Sequence, residues 1–315
     1  MGADSEMVVG PEARPALGRG VALVLALRPK QWVKNGLVLL PFVFSVNVAW
    51  RPDDLAQVPG LLLRLALLFL AFCAVSSASY LLNDLMDRDA DRQHPVKRRR
   101  PIASGQVGTP AALAAMAVLA LGGLAVMTAL DLRLGAVGVA YLGINASYSL
   151  GAKNLVLIDV FSVASGYVIR VAAGAVAIGV DPSPWLYATT AAGALFIVLG
   201  RRYAEVRLAG GEAARQRSVL RHYAGPFIGQ LLNISAATAW MSYTLYTVEA
   251  ANLPQNHTML LTVPFVTFGL FRYLYLLNTS QEAEAPEQLM VRDLPLAASV
   301  LAWIGVSALV LLLDR

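Results

Sequence analysis

A chain of 315 residues that is 57% hydrophobic and 14% charged, with a mean hydropathy of +0.60, falls well short of the roughly 25% charged residues of a soluble domain. It reads as a membrane protein, and its apolar runs of about 20 residues make it all-α rather than a barrel of alternating ten-residue strands. The net charge of +5 reports cytoplasmic loops and anion sites before nucleic acid, and a single cysteine, Cys73, excludes an intramolecular disulfide framework.

In chain order, residues 1–20 lack a sustained apolar core and read as a flexible cytoplasmic tail rather than a signal peptide. Residues 21–315 read as a single membrane domain of nine helices, with apolar runs at 32–49, 59–83, 108–130, 134–151, 155–179, 184–202, 226–248, 258–278 and 294–313. Breaker residues divide the closest pairs: 151–154 before the fifth run, and Asp181, Pro182, Ser183 and Pro184 before the sixth.

Lysine and arginine set the orientation. Arg88, Arg92, Lys97, Arg98, Arg99 and Arg100 follow the second run, and Arg201, Arg202, Arg207, Arg215, Arg217 and Arg221 follow the sixth. Arg28, Lys30, Lys34, Lys153 and Arg292 fall on that same side, whereas the opposite loops hold only Arg51 and Arg133. The amino terminus is therefore expected inside and the carboxyl terminus outside.

The chemistry concentrates where the second run ends, in Y-L-L-N-D-L-M-D-R-D-A-D-R. On a continuing helix Asp84, Asp87 and Asp91 lie within about 60° of one another, while Asp89 points away. A shared face of carboxylates suits magnesium completed by substrate phosphates and water; the competing reading is a solvated acidic loop. A calcium-binding EF-hand loop is the poorer match, because its glycine and terminal glutamate are missing. The basic run at 97–100 is either a topology signal or a set of guanidinium groups for phosphate.

Farther along, Asp159, Ser162, Gly166 and Arg170 form one polar stripe on the fifth run, marking either a wet path or a structural pair. Tyr148, Lys153, Arg202, Tyr203 and Glu205 add polar groups at the same membrane face, each otherwise an interfacial anchor. Lys34 and Asn35 sit at head-group depth, as lipid-phosphate ligands or as topology residues. Arg272 reads as a snorkelling residue. His94, His222 and His257 lack metal-ligand spacing.

The pattern N-D-x-x-D-x-x-x-D at Asn83, Asp84, Asp87 and Asp91, on a chain with nine apolar runs, resembles the UbiA superfamily of intramembrane prenyltransferases. RPKQWVKN, YLLNDLMDRDADRQHPVKRRRPIASG and GRRYAE look closest to its decaprenyl-phosphate phosphoribosyltransferase branch, which serves cell-wall arabinan precursor synthesis in actinobacteria. The resemblance implies a nine-helix bundle in the bacterial plasma membrane with its active site at the cytoplasmic face. It also implies transfer of phosphoribose from 5-phosphoribosyl 1-diphosphate to decaprenyl or another polyprenyl phosphate, releasing diphosphate.

Asp84, Asp87 and Asp91 would then hold Mg2+, for which Mn2+ can substitute, and Asn83 would orient the leaving diphosphate. Lys34, Asn35, Tyr148, Lys153, Arg170, Arg202, Tyr203 and Glu205 are the candidate substrate contacts. The implied partners are both substrates and the lipid bilayer, with no nucleic acid and with homo-oligomerisation left open. Aromatic prenyltransferases of the superfamily carry a second aspartate-rich motif after the sixth run, where this chain reads R-R-Y-A-E-V-R. That departure disfavours the alternative of a polyprenyl diphosphate donor with an aromatic acceptor. A secondary transporter, the rival from another class, would place broken helices near the midplane rather than charge at one face.

Overall fold

The computed structural model describes residues 18–94, 96–181, 183–209, 218–223, 225–250, 253–280, 289 and 292–313. Residues 1–17 of the expected tail, and Arg215 and Arg217, lie outside them. The described chain is helical: α1 (Arg19–Ala26), a 3₁₀ segment (Pro29–Leu39) running into α2 (Leu40–Val43), α3 (Val58–Met86), α4 (Arg88–Gln93), α5 (Thr109–Leu130), α6 (Leu132–Leu150), α7 (Ile158–Ile178), α8 (Pro184–Ala209), α9 (Pro226–Glu249), α10 (Val263–Thr279) and α11 (Leu294–Leu313). Among the described residues, five helices are long and apolar enough to cross a membrane: Val58–Met86, Thr109–Leu130, Ile158–Ile178, Thr258–Thr279 and Leu294–Leu313.

Proline starts many of these helices because its missing N–H falls where helix donors are unpaired anyway. Pro59, Pro110, Pro226 and Pro264 occupy first turns in this way. Asp131 caps α6 by accepting a hydrogen bond from the Arg133 backbone N–H at 2.7 Å, and Gly179 ends α7 in the left-handed region at φ +69. The tail expectation is revised at its end, since Arg19 and Gly20 already belong to α1. That short helix buries Ala22 and Ala26 while exposing Val21, Val24 and Leu25.

The first apolar run departs from the expected 32–49. Regular helix ends at Val43, after which the chain turns and Trp50 stacks on Phe42 with centroids 5.1 Å apart. The tight winding explains how so short a segment gains length. At about 2.0 Å per residue a 3₁₀ helix is longer than an α-helix of the same residues, so 29–43 reaches about 28 Å, close to a hydrocarbon core of about 30 Å.

Small residues let the helices close on one another. A Cβ on Gly174 of α7 would stand 2.2 Å from the Val38 backbone oxygen, so the 3₁₀ segment and α7 touch backbone to backbone. Around them, α3 packs on α5 and α6, α7 lies between α6 and α8, α8 runs along α9, and α10 packs on α11. Arg64 of α3 donates to the Ala177 carbonyl at 2.8 Å and the Leu130 carbonyl at 3.1 Å, serving the C-terminal ends of α7 and α5 together. Arg272 is not a snorkelling residue: it makes a two-pronged pair with Asp293 at 3.1 and 2.8 Å, and Asp293 also caps α11 by accepting from Leu296 N. That guanidinium holds the Asp293 carboxyl below the usual carboxylate range.

Candidate active site

The 3₁₀ segment, the end of α3, α6, α7 and α8 enclose a polar cavity of about 240 Å³. Of the residues expected at the site, Lys34, Asn83, Asp87, Tyr148, Arg170 and Arg202 line it; Arg28, Lys97, Arg100 and Arg201 add further cations. Asn35, Asp84, Asp91, Lys153, Tyr203 and Glu205 stand outside the lining.

The carboxylate motif takes its form from the end of α3. The helix closes at Met86, Asp87 has φ −90 and ψ 1, and α4 begins at once. Asp87 N bonds Asn83 O at 2.9 Å and Asp91 N bonds Asp87 O at 2.8 Å, so the helical register carries through the break. The three aspartates consequently share a side, and Asp89 is 77% exposed, paired with Arg88 and Arg92.

Each carboxylate of the shared side meets a cation. Asp84, 2% exposed, accepts from Arg28 at 2.5 Å and from Arg100 at 3.1 Å, and the same Arg100 Nη1 donates to Asp91 at 2.7 Å. Lys153 donates to Asp87, which also accepts from Asn83 Nδ2 at 3.2 Å. Arg28 is held there by a left-handed backbone conformation at φ 56 and by the Tyr80 ring 5.1 Å beneath it. Left-handed non-glycine residues are uncommon and gather at functional sites.

Among the described residues, no three His, Cys, Asp or Glu side chains stand together as a ready metal cage. The donor set nonetheless suits Mg2+, which is commonly held by one or two carboxylates together with substrate phosphates and water. Asp87 lines the cavity, and Asp84 and Asp91, outside the lining, are joined through Arg100 Nη1.

On the far wall, Arg202 is 4% exposed and clamped: Nε donates to Asp159 at 3.0 Å, Nη1 to Glu205 at 2.6 Å and Nη2 to Tyr148 at 3.4 Å. Asp159 also accepts from the Tyr223 hydroxyl at 2.6 Å, and that hydroxyl accepts from Leu157 N, a residue at φ 69. Burial and the bond to Asp159 push the Tyr223 phenol pKa up. Glu205 also accepts from Arg201, so the lone carboxylate of this stretch is shared by two arginines. Tyr203 turns away and donates to Asn278 at 2.6 Å.

Arg170, 5% exposed, donates from Nε to Asn35 at 2.8 Å, from Nη1 to the Gly166 carbonyl at 2.6 Å and from Nη2 to the Tyr141 hydroxyl at 2.9 Å. Tyr141 was not singled out from the sequence. Its signal was present, since Tyr141, Asn145 and Tyr148 recur at helical spacing on a mostly apolar helix and all line the cavity.

A cavity lined by cations beside a carboxylate motif, inside an all-helical bundle with helices long and apolar enough to cross a membrane, has the chemistry to receive phosphorylated substrates. The chain belongs to the UbiA prenyltransferase family, whose profile matches residues 38–294. It is 34% identical over 300 residues to the decaprenyl-phosphate phosphoribosyltransferase of Mycobacterium tuberculosis, covering 95% of this chain and 96% of that one. The enzyme of the same name from Mycolicibacterium smegmatis is 32% identical over 304 residues, with 94% of each chain covered. In fold, the chain matches a UbiA homologue from Archaeoglobus fulgidus bound to GPP and Mg2+, with TM-score 0.66, 17% identity, and coverage of 92% of this chain and 99% of that one.

Proposed function

We propose that this protein transfers the 5-phosphoribosyl group of 5-phosphoribosyl 1-diphosphate to a polyprenyl phosphate such as decaprenyl phosphate, releasing diphosphate, as a step toward cell-wall arabinan. Near-full-length similarity to enzymes of that name supports it, and the observation that carries it is the fate of Glu205. The only carboxylate in the stretch where a second acidic motif would stand is taken up by Arg201 and Arg202. That stretch suits a phosphate better than a second metal.

In the reaction, an oxygen of the lipid phosphate forms a bond to the anomeric carbon as the bond from that carbon to diphosphate breaks. The nucleophile is already anionic near neutral pH, so the protein has to align it and offset repulsion between two anionic substrates. Arg28, Lys34, Lys97, Arg100 and Arg201 line the cavity and supply the charge for that purpose. Asn83 orients the departing diphosphate. Asp84, Asp87 and Asp91 would hold the cation, and Arg28, Arg100 and Lys153, which pair with them here, are the cations beside the donor's phosphates. Magnesium bound there, or manganese in its place, supplies positive charge to the leaving group.

An apolar hollow of about 280 Å³ between α8, α9, α10 and α11 shares Ile197 with the polar cavity and gives the isoprenoid chain a berth. The setting is one domain with nine membrane-crossing segments in the bacterial plasma membrane, with amino terminus and active site cytoplasmic.

The test incubates the purified protein with radiolabelled 5-phosphoribosyl 1-diphosphate and a short polyprenyl phosphate, and follows label into lipid. Excess chelator should abolish transfer, and Asp87→Asn should lower it at least about 100-fold, as expected for loss of a leaving-group stabiliser. Asp89→Asn should retain most activity. Lipid left unlabelled by the wild type, alongside prenylation of an aromatic acceptor, would reverse the assignment.

A further inference from the structure

Two arginines of this cavity are equally buried and differently matched. Arg202 is neutralised by Asp159 and Glu205. Arg170, among the described residues, meets no carboxylate; its partners are an amide oxygen, a backbone carbonyl and a phenol. The rings of Tyr141 and Phe72 lie 4.9 and 5.6 Å from its Cζ. These contacts use three of its five N–H donors and leave the positive charge of a buried group unmatched by any described carboxylate, which is costly.

Asparagine at position 35 makes the imbalance specific. Asn35 is wholly buried and does not reach the cavity, and its amide nitrogen donates to Cys73 Sγ at 3.3 Å and to Ser76 Oγ at 3.4 Å. Those bonds turn its oxygen toward Arg170. An aspartate of the same shape would make the same contact and cancel the charge.

We infer that Arg170 is the binding site for a phosphate monoester at the deep end of the cavity, with Asn35 as the positioning residue that holds the guanidinium without neutralising it. Through Asn35, Arg170 meets α3 at Cys73 and Ser76, and Ser76 lies eleven residues, about 16 Å of helix, before Asp87 at the end of α3. A phosphate there is therefore distinct from the diphosphate at the aspartates. This inference rests on the proposed function, in which two phosphate monoesters are present: the sugar donor's 5-phosphate and the lipid acceptor's phosphate.

The test is Asn35→Asp, with equilibrium binding of ribose 5-phosphate in one arm and of a short polyprenyl phosphate in the other. Affinity for at least one should fall about tenfold or more, the loss of a charge-assisted contact, while Tm stays level or rises. The affected arm identifies the phosphate. If Arg170 is only a brace, Asn35→Asp satisfies it better and neither affinity changes, which overturns the inference.

Should Asn35→Asp not fold, Arg170→Met decides: weakened binding in a protein of undiminished Tm supports the site. Unchanged binding, or collapse of that variant also, refutes it. Binding is read without turnover, so absence of phosphoribosyl transfer by the wild type counts against the proposed function alone.

Discussion

Arg202 shows how far a residue's work depends on partners distant from it in sequence. Sequence alone gives a basic residue where a second acidic motif would stand, and a phosphate contact follows naturally. In the structure its guanidinium already spans two carboxylates, one of them, Asp159, wholly buried. Removing one partner of a buried ion pair leaves the other charge unmatched, at a cost of about 3–5 kcal/mol. Arg202→Ala should therefore lower Tm sharply, and adding Asp159→Asn should recover part of the loss, because the orphaned charge goes with it. Arg201, 47% exposed, lining the cavity and held by a single bond to Glu205, is the member of the pair that can exchange its partner for substrate. A pair of adjacent arginines carries no information on which will be clamped; that depends on Asp159 and Tyr223, 43 and 21 residues away in sequence.

The helices were legible where apolar runs end at breakers: α5, α7 and α9 begin and end within a few residues of the expected limits. The 3₁₀ winding of Pro29–Leu39 was not, because hydrophobic content is blind to helix type, and neither was α1, too short to register as a run. What sets the 3₁₀ segment against α7 is the glycine at 174. Its missing Cβ leaves room for the Val38 carbonyl, a backbone atom that cannot rotate away. Gly174→Ala should force the two apart, with overpacking of this kind costing typically about 1–3 kcal/mol. It should also disturb the Asn35–Arg170 contact, which spans the same interface. Gly122→Ala in α5, where a new methyl meets nothing within 4 Å, is the control and should leave Tm level or slightly raised. Equal Tm for both variants would show that the close approach is not maintained.

The distribution of charge across the bundle carries the argument for orientation, and the 3₁₀ segment is where that argument is most exposed. If residues 29–43 cross the bilayer, α1 and the loop after Trp50 lie on opposite sides; if they dip in and return, both lie on one side and the odd number of spans fails. Reach favours crossing, since about 28 Å of tight helix is nearly a bilayer core. The single native thiol, Cys73, is 5% exposed and bonded by Asn35, so single-cysteine reporters can be placed in a Cys73→Ala background. Arg19→Cys and Ser104→Cys should react with a membrane-impermeant thiol reagent only in inverted vesicles or after permeabilisation, and Asp53→Cys should react in intact cells. Labelling of Arg19→Cys and Asp53→Cys from the same side would make the segment re-entrant. The basic loop at residues 88–100 would keep its cytoplasmic place by the positive-inside rule, but the amino terminus would lose its assignment.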